Sequence, residues 1–222
     1  MDLKVLQTVL ADVGKVVALL SVVIFIIHRL KYVKGIEWVI LYLFVNLLIS
    51  VTAGYFWKRQ WNNLPLLHLN TFIEFLFFSL FYKAILKESR RFQRYFWPFI
   101  TLVSLLVIAN SIFLESIYSF NSLSKSFVQF ILIGYAVLYI YSFSIKLEEI
   151  NVDKQAVRLI NAAVLIYYSS SLFIFLFSNL FLENDIKMAQ AFWVVNAGLS
   201  LIFQLLILFG IWKVAFKQVK FI

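Results

Sequence analysis

Residues 62–83 read NNLPLLHLNTFIEFLFFSLFYK, an apolar run that nevertheless contains His68, Asn70, Thr71 and Glu74. A run of this length and hydropathy reads as a membrane-crossing helix, where an ionisable side chain is expensive and therefore a candidate for function. At 100° per residue, Asn70, Thr71 and Glu74 share one arc and His68 lies at its edge. Counted inward from Pro65, Glu74 sits about nine residues deep, close to the middle of a ~30 Å hydrocarbon core. A carboxylate at that depth needs a cation, a proton or hydrogen-bond donors. The candidate partners are Lys15, His68 and the hydroxyls of Tyr167 and Tyr168. Its chemistry would be that of a ligand contact or a proton-titrating group, and the plainer alternative is a structural hydrogen bond between helices. His68 lies nearer the interface, where an imidazole more often anchors in the head-group region.

The elements that must position these residues follow from composition. The chain has 222 residues, 63% hydrophobic and only 14% charged, with a mean hydropathy of +0.92. A soluble fold of this size could not cover so much apolar surface. Seven segments are long and apolar enough to cross a bilayer: about 9–28, 36–57, 65–84, 96–115, 126–145, 159–181 and 190–212. Continuous apolarity, without alternation over about ten residues, selects helices over a barrel. The expected fold is thus all-α: one polytopic domain over 1–222, a seven-transmembrane-helix bundle with short connections. The first segment carries Asp12 and Lys15, three apart and able to pair on one face. If it does not begin near residue 9, residues 1–15 would form an interfacial helix instead. No basic cluster precedes it and no small-residue cleavage site follows, so it is expected to be retained.

Orientation rests on Lys and Arg. The first, third and fifth connections and the C-terminal tail hold fourteen of these residues (Arg29, Lys31, Lys34, Lys83, Lys87, Arg90, Arg91, Arg94, Lys146, Lys154, Arg158, Lys213, Lys217, Lys220), against six on the other side, namely Lys4, Lys15, Lys58, Arg59, Lys125 and Lys187. The asymmetry predicts the N-terminus outside and the C-terminus in the cytoplasm. The net charge of +9 is therefore read as a topology signal and a contact for anionic membrane lipids, with no nucleic-acid partner.

Polar stripes mark the faces turned from lipid. They comprise Tyr42, Asn46, Ser50, Ala53, Gly54 and Trp57 in the second span, and Trp193, Asn196, Ser200 and Gln204 in the seventh. The sixth places Tyr167, Tyr168, Ser171 and Ser178 together, and the fifth offers Gln129, Tyr135, Tyr139 and Ser142 more loosely. Helix packing explains most of these, because small and hydroxylated residues let helices approach. The imbalance in depth is more telling. Glu74, Asp12, Lys15, Asn110, Gln129, Asn179 and Asn196 all fall in the outer halves of their spans, as a polar cavity open to the outside would require. The candidate ligand-binding set is Glu74 at the centre with His68, Asn196 and Tyr168 around it, and Asn46 as a further member.

Several chemistries lack their residues. With no cysteine and only His28 and His68, at opposite ends, there is no basis for a thiolate site, a three-histidine metal centre or bis-histidine haem ligation. No nucleophile elbow, zinc-protease motif or aspartate pair occurs, and the last span has no central lysine for retinal. No cofactor and no metal is expected, and enzyme chemistry is disfavoured. Transporters often place sites at helices interrupted by Pro or Gly in two repeats, whereas Pro65 and Pro98 lie near span ends and no repeat is evident. The expected function is a non-enzymatic sensor or receptor for a small or lipidic ligand. Its output would pass to a cytoplasmic or membrane protein partner at the third or fifth connection or the basic tail. A small-solute or proton-coupled transporter is the alternative, followed by a structural subunit of a membrane complex.

Asn62, Asn63, His68, Glu74 and Phe75 form an N-N-x4-H-x5-E-F start to the third span, and Asn196 and Ser200 an N-x3-[NS] pattern in the last. In these two motifs the chain resembles uncharacterised bacterial seven-helix membrane proteins, a resemblance that implies topology and no activity. Usage rich in Lys, Ile, Phe and Asn suits an AT-rich bacterial genome, hence a bacterial inner membrane.

Overall fold

The computed structural model of the protein describes residues 2–28, 30, 33–144 and 152–218, with the side chains of 143, 144, 183, 184, 217 and 218 left aside. Of the basic residues used for orientation, Arg29, Lys31, Lys146 and Lys220 lie outside the described residues.

The described residues form helices and no strands: α1 (Leu3–Ile27), α2 (Ile36–Lys58), α3 (Leu64–Ile85), α4 (Arg90–Phe113), α5 (Ser122–Ser144), α6 (Val152–Leu176), α7 (Ser178–Asn184) and α8 (Ile186–Gln218). All but α7 are long and apolar enough to cross a membrane, as an integral membrane protein requires. Local chemistry sets their ends. The Asp2 carboxylate accepts from the Lys4 amide and starts α1. Pro65 lies in the first turn of α3, where a missing N–H costs nothing. Gly35 precedes α2 with φ of +93°, and a Cβ there would meet Phe81 and Ala84 at 3.2 Å, so glycine is required twice over.

Two boundaries differ from the sequence reading. α1 is one continuous helix through Asp12 and Lys15, which pair at 2.8 Å, so residues 3–15 are not a separate interfacial helix. The sixth span ends at Leu176 rather than 181, and α7 follows after a break at Phe177. No Pro or Gly causes it. The buried Ser178 hydroxyl donates to the Phe175 carbonyl at 2.7 Å, a local bond that competes with the helical ladder.

In the packing, α8 lies against both α1 and α6, α5 against α6 and α3, and α2 between α1 and α3. α3 runs through the core. Its Phe75, Phe78, Phe81 and Tyr82 are fully buried, and the Phe78 ring meets Tyr42 of α2, Tyr168 of α6 and Phe203 of α8 at centroid distances of 4.9, 5.9 and 6.0 Å. The outward faces carry Leu102, Leu105, Ile112, Phe130, Phe173 and Phe209, a surface suited to lipid. Close approaches use small residues, as helices in hydrocarbon do. A Cβ on Gly210 of α8 would lie 3.2 Å from the Ala156 carbonyl of α6, whereas Gly54 faces open space. Gly210→Val is accordingly expected to destabilise the detergent-solubilised protein by about 1–3 kcal/mol. Gly54→Val should leave its thermal unfolding unchanged, and equal effects would contradict the α6–α8 packing.

Candidate functional site

Glu74 is the eleventh residue of α3, about 15 Å along the helix from its start. It has no exposed surface, and Oε2 accepts from the Lys125 ammonium in an ion pair that is buried on both sides. The sequence reading counts Lys125 among the outer loop residues, because the apolar window of the fifth span opens one residue later. In the fold, α5 begins at Ser122 and Lys125 lies in its first turn. Lys15 is half exposed, engaged with Asp12, and does not serve Glu74.

Lys125 reaches Glu74 because α5 starts deep. Asn121, just ahead of α5, donates to the Thr71 hydroxyl at 2.7 Å and the Leu67 carbonyl at 3.2 Å. Thr71 is the eighth residue of α3, so the start of α5 is sunk about 10 Å below the start of α3. A helix N-terminus presents unpaired N–H groups and positive potential, and neither is tolerated unsatisfied at that depth. Glu115, in the connection after α4, meets both needs. Its Oε1 accepts from the Ser122 hydroxyl and the Leu123 amide, each at 2.9 Å, and its Oε2 accepts from the Asn110 amide at 2.7 Å and more weakly from the Ser124 amide at 3.4 Å. Asn179 of α7 donates to the Ser122 hydroxyl at 2.8 Å, and Asn110 donates to Ser124 at 2.7 Å.

His68 belongs to this layer and is buried, not anchored at the surface. Its Nε2 lies 3.1 Å from the Ser119 carbonyl and its Nδ1 2.8 Å from the Ser111 hydroxyl. A carbonyl only accepts, so Nε2 carries a proton and, in the neutral ring, Nδ1 accepts from Ser111. The Ser111 hydroxyl also lies 3.2 Å from the Val107 carbonyl of its own helix. His68 therefore ties α3 to α4 and the α4–α5 connection, two turns from Glu74.

The other candidates divide. Tyr168 is fully buried next to the Glu74 carboxylate, with Tyr42 and Tyr167 also within electrostatic reach of it. Asn196, half-buried on α8, joins through Tyr167. Asn46 is half-buried on α2, one turn along from Tyr42. Gln129, one turn beyond Lys125, donates to Ser171 of α6 at 2.9 Å. Five helices thus converge on the ion pair. There the buried Tyr168 hydroxyl lies within hydrogen-bonding reach of Glu74. Asn196 Oδ1 on α8 and Gln129 Oε1 on α5 are buried without a hydrogen-bond partner. The cavity expected to open at Glu74 is closed by side chains in this conformation. A shallow recess between α6, α7 and α8 is lined by Ile174, Ser178, Phe181, Ala189, Phe192 and Trp193. Among the described residues, no three His, Cys, Asp or Glu side chains come together as a metal site would need.

Lys125 and Glu115 were the functional residues missed from sequence. The available signal was charge balance: a carboxylate in the third span calls for a cation at the start of a span running in the same direction, and Lys125 begins the fifth. Comparison with family models, with curated proteins and with solved structures returns no match.

Removing one partner of a buried pair strands the other. Lys125→Met should therefore lower stability by about 3 kcal/mol or more, and Glu74→Gln combined with Lys125→Met should recover most of it, measured by unfolding in mixed micelles. Strict additivity of the two substitutions would refute the pairing. Glu115→Ala should cost about 1–2 kcal/mol through loss of the α5 cap, and Glu115→Gln less, in the same assay.

Proposed function

We propose that the chain is a sensor- or receptor-like, non-enzymatic membrane protein that binds a small or lipidic ligand at the polar cluster around Glu74. The observation that carries this reading is the buried Glu74–Lys125 pair, set against the fully buried Tyr168 with Tyr42 and Tyr167 also in reach of the carboxylate. Charged groups pay a large desolvation penalty. Helix packing alone would be served at lower cost by apolar side chains. A charged pair with phenols around it, at the convergence of five helices, is what a polar ligand would exploit. The Lys and Arg asymmetry assigns the end of the bundle where α3 and α5 begin to the outside, so the ligand would enter from there. A bacterial inner membrane and a protein partner at the opposite, basic face complete the reading. A small-solute or proton-coupled transporter is the second reading, since the same charged pair lies at mid-depth, where a translocated solute would pass.

The test is native mass spectrometry of the full chain released from nanodiscs formed directly from membranes, wild type against Glu74→Gln. The wild type should retain a small molecule or lipid that the variant retains about tenfold less, at matched thermal stability. An unchanged complement of bound molecules in the variant would defeat the proposal. Solute movement into proteoliposomes that depends on Glu74 would replace it with the transporter.

A further inference from the structure

The ligand's chemical class can be read from the pair that closes the site. Glu74 and Lys125 are together neutral, and each is the other's counter-ion in a region without exposed surface. A ligand with one charge could pair with one of them only by stranding the other, which in a buried setting is strongly unfavourable. A ligand carrying both charges replaces the pair without leaving either residue alone. Its cationic end has a defined place. The polar atoms at the carboxylate are Glu74 Oε1 and the Tyr168 hydroxyl, and a carboxylate oxygen that takes at most the phenol's one hydrogen keeps a lone pair for an N–H donor. Aromatic rings also surround it, with Tyr42, Tyr167 and Tyr168 near the carboxylate and the Phe175 ring 5.2 Å from the Lys125 ammonium. A ring face favours an ammonium group, as the Phe175 ring does for Lys125. The anionic end has Lys125, whose three donors include one given to Glu74.

We propose that this site takes a zwitterion bearing a primary ammonium and an oxyanion, the chemistry shared by free amino acids and by an aminophospholipid headgroup. The proposal rests on the ligand-binding reading above. The ligand's ammonium takes the place of Lys125 on Glu74, and its oxyanion takes the place of Glu74 on Lys125. In the closed conformation the two residues stand in for the ligand's two ends.

The experiment uses the full chain in phosphatidylcholine nanodiscs, read by thermal unfolding and equilibrium binding. Glycine and γ-aminobutyrate are the soluble zwitterions, methylammonium and acetate the single-charge controls, and added phosphatidylethanolamine the lipid arm. A zwitterion from one arm should raise the melting temperature where the single charges do not. Phosphatidylethanolamine should act and phosphatidylcholine should not, if the source is lipid, because a trimethylated ammonium has no N–H for Glu74. Glu74→Gln and Lys125→Gln should each weaken apparent binding about tenfold or more. The charge-swapped variant Glu74→Lys with Lys125→Glu keeps the pair and tests folding apart from recognition, and it should retain detectable binding. The proposal is overturned if neither arm produces a shift, if methylammonium or acetate alone matches the zwitterions, or if the shift survives in Glu74→Gln. A Glu74-dependent ligand with one charge or none, found by mass spectrometry, overturns the zwitterion and leaves the ligand-binding reading standing. No Glu74-dependent ligand of any kind overturns both.

Discussion

A carboxylate at mid-depth in hydrocarbon must be given a counter-charge, and the arrangement of this bundle follows from how that is done. Glu74 draws its cation from α5, and Lys125 is only the fourth residue of that helix. The start of α5 therefore has to be sunk to the level of Thr71. Sinking it brings unpaired amides and the positive end of a helix into low dielectric, which demands a second carboxylate. Glu115 fills that position, and Asn110, Asn121, Asn179 and the Ser122 and Ser124 hydroxyls satisfy what remains. The concentration of polar residues at one end of the molecule is then a consequence of one buried charge.

Packing fixes the pair in place. Phe75 and Phe78 flank Glu74 on α3 with no exposed surface, and the Phe78 ring alone touches three other helices. Such a core has few alternative arrangements, so the carboxylate cannot relax toward water by a local rotamer change. Further along α3, the Tyr82 hydroxyl donates to Asn161 of α6 at 2.8 Å, so the buried contact there is a neutral hydrogen bond rather than an ion pair.

Much of the fold was legible because hydrophobic length is a coarse property that tertiary contacts rarely override. All seven spans and the Asp12–Lys15 pair follow from windows and helical spacing. Boundaries were less legible where a helix outruns its apolar stretch, as α6 does at Val152, or breaks through a side-chain bond, as at Ser178. Within the site, the centrality of Glu74 was readable from one sequence, since a mid-span carboxylate is anomalous wherever its partner lies. The partner was not. Lys125 stands at the margin of an apolar window, where a lysine is ordinary, and only the depth of α5 distinguishes a buried ammonium from an interfacial one. Glu115 was invisible for the same reason, as one acidic residue in a short connection.

The first turn of α5 gives the ion pair a mechanical meaning. Within five residues, Asn121 holds α3, Ser122 holds Glu115 and receives Asn179 of α7, Ser124 receives Asn110 of α4, and Lys125 holds Glu74. These are contacts of one rigid helical turn, so they cannot be exchanged independently. A change of partner at Lys125 alters the position that the turn prefers, and α3, α4 and α7 meet that change at the same moment. The rest of α5 continues to the basic end of the bundle, packed along α6. The same helix that carries Lys125 thus joins the polar layer at mid-depth to the far part of the bundle.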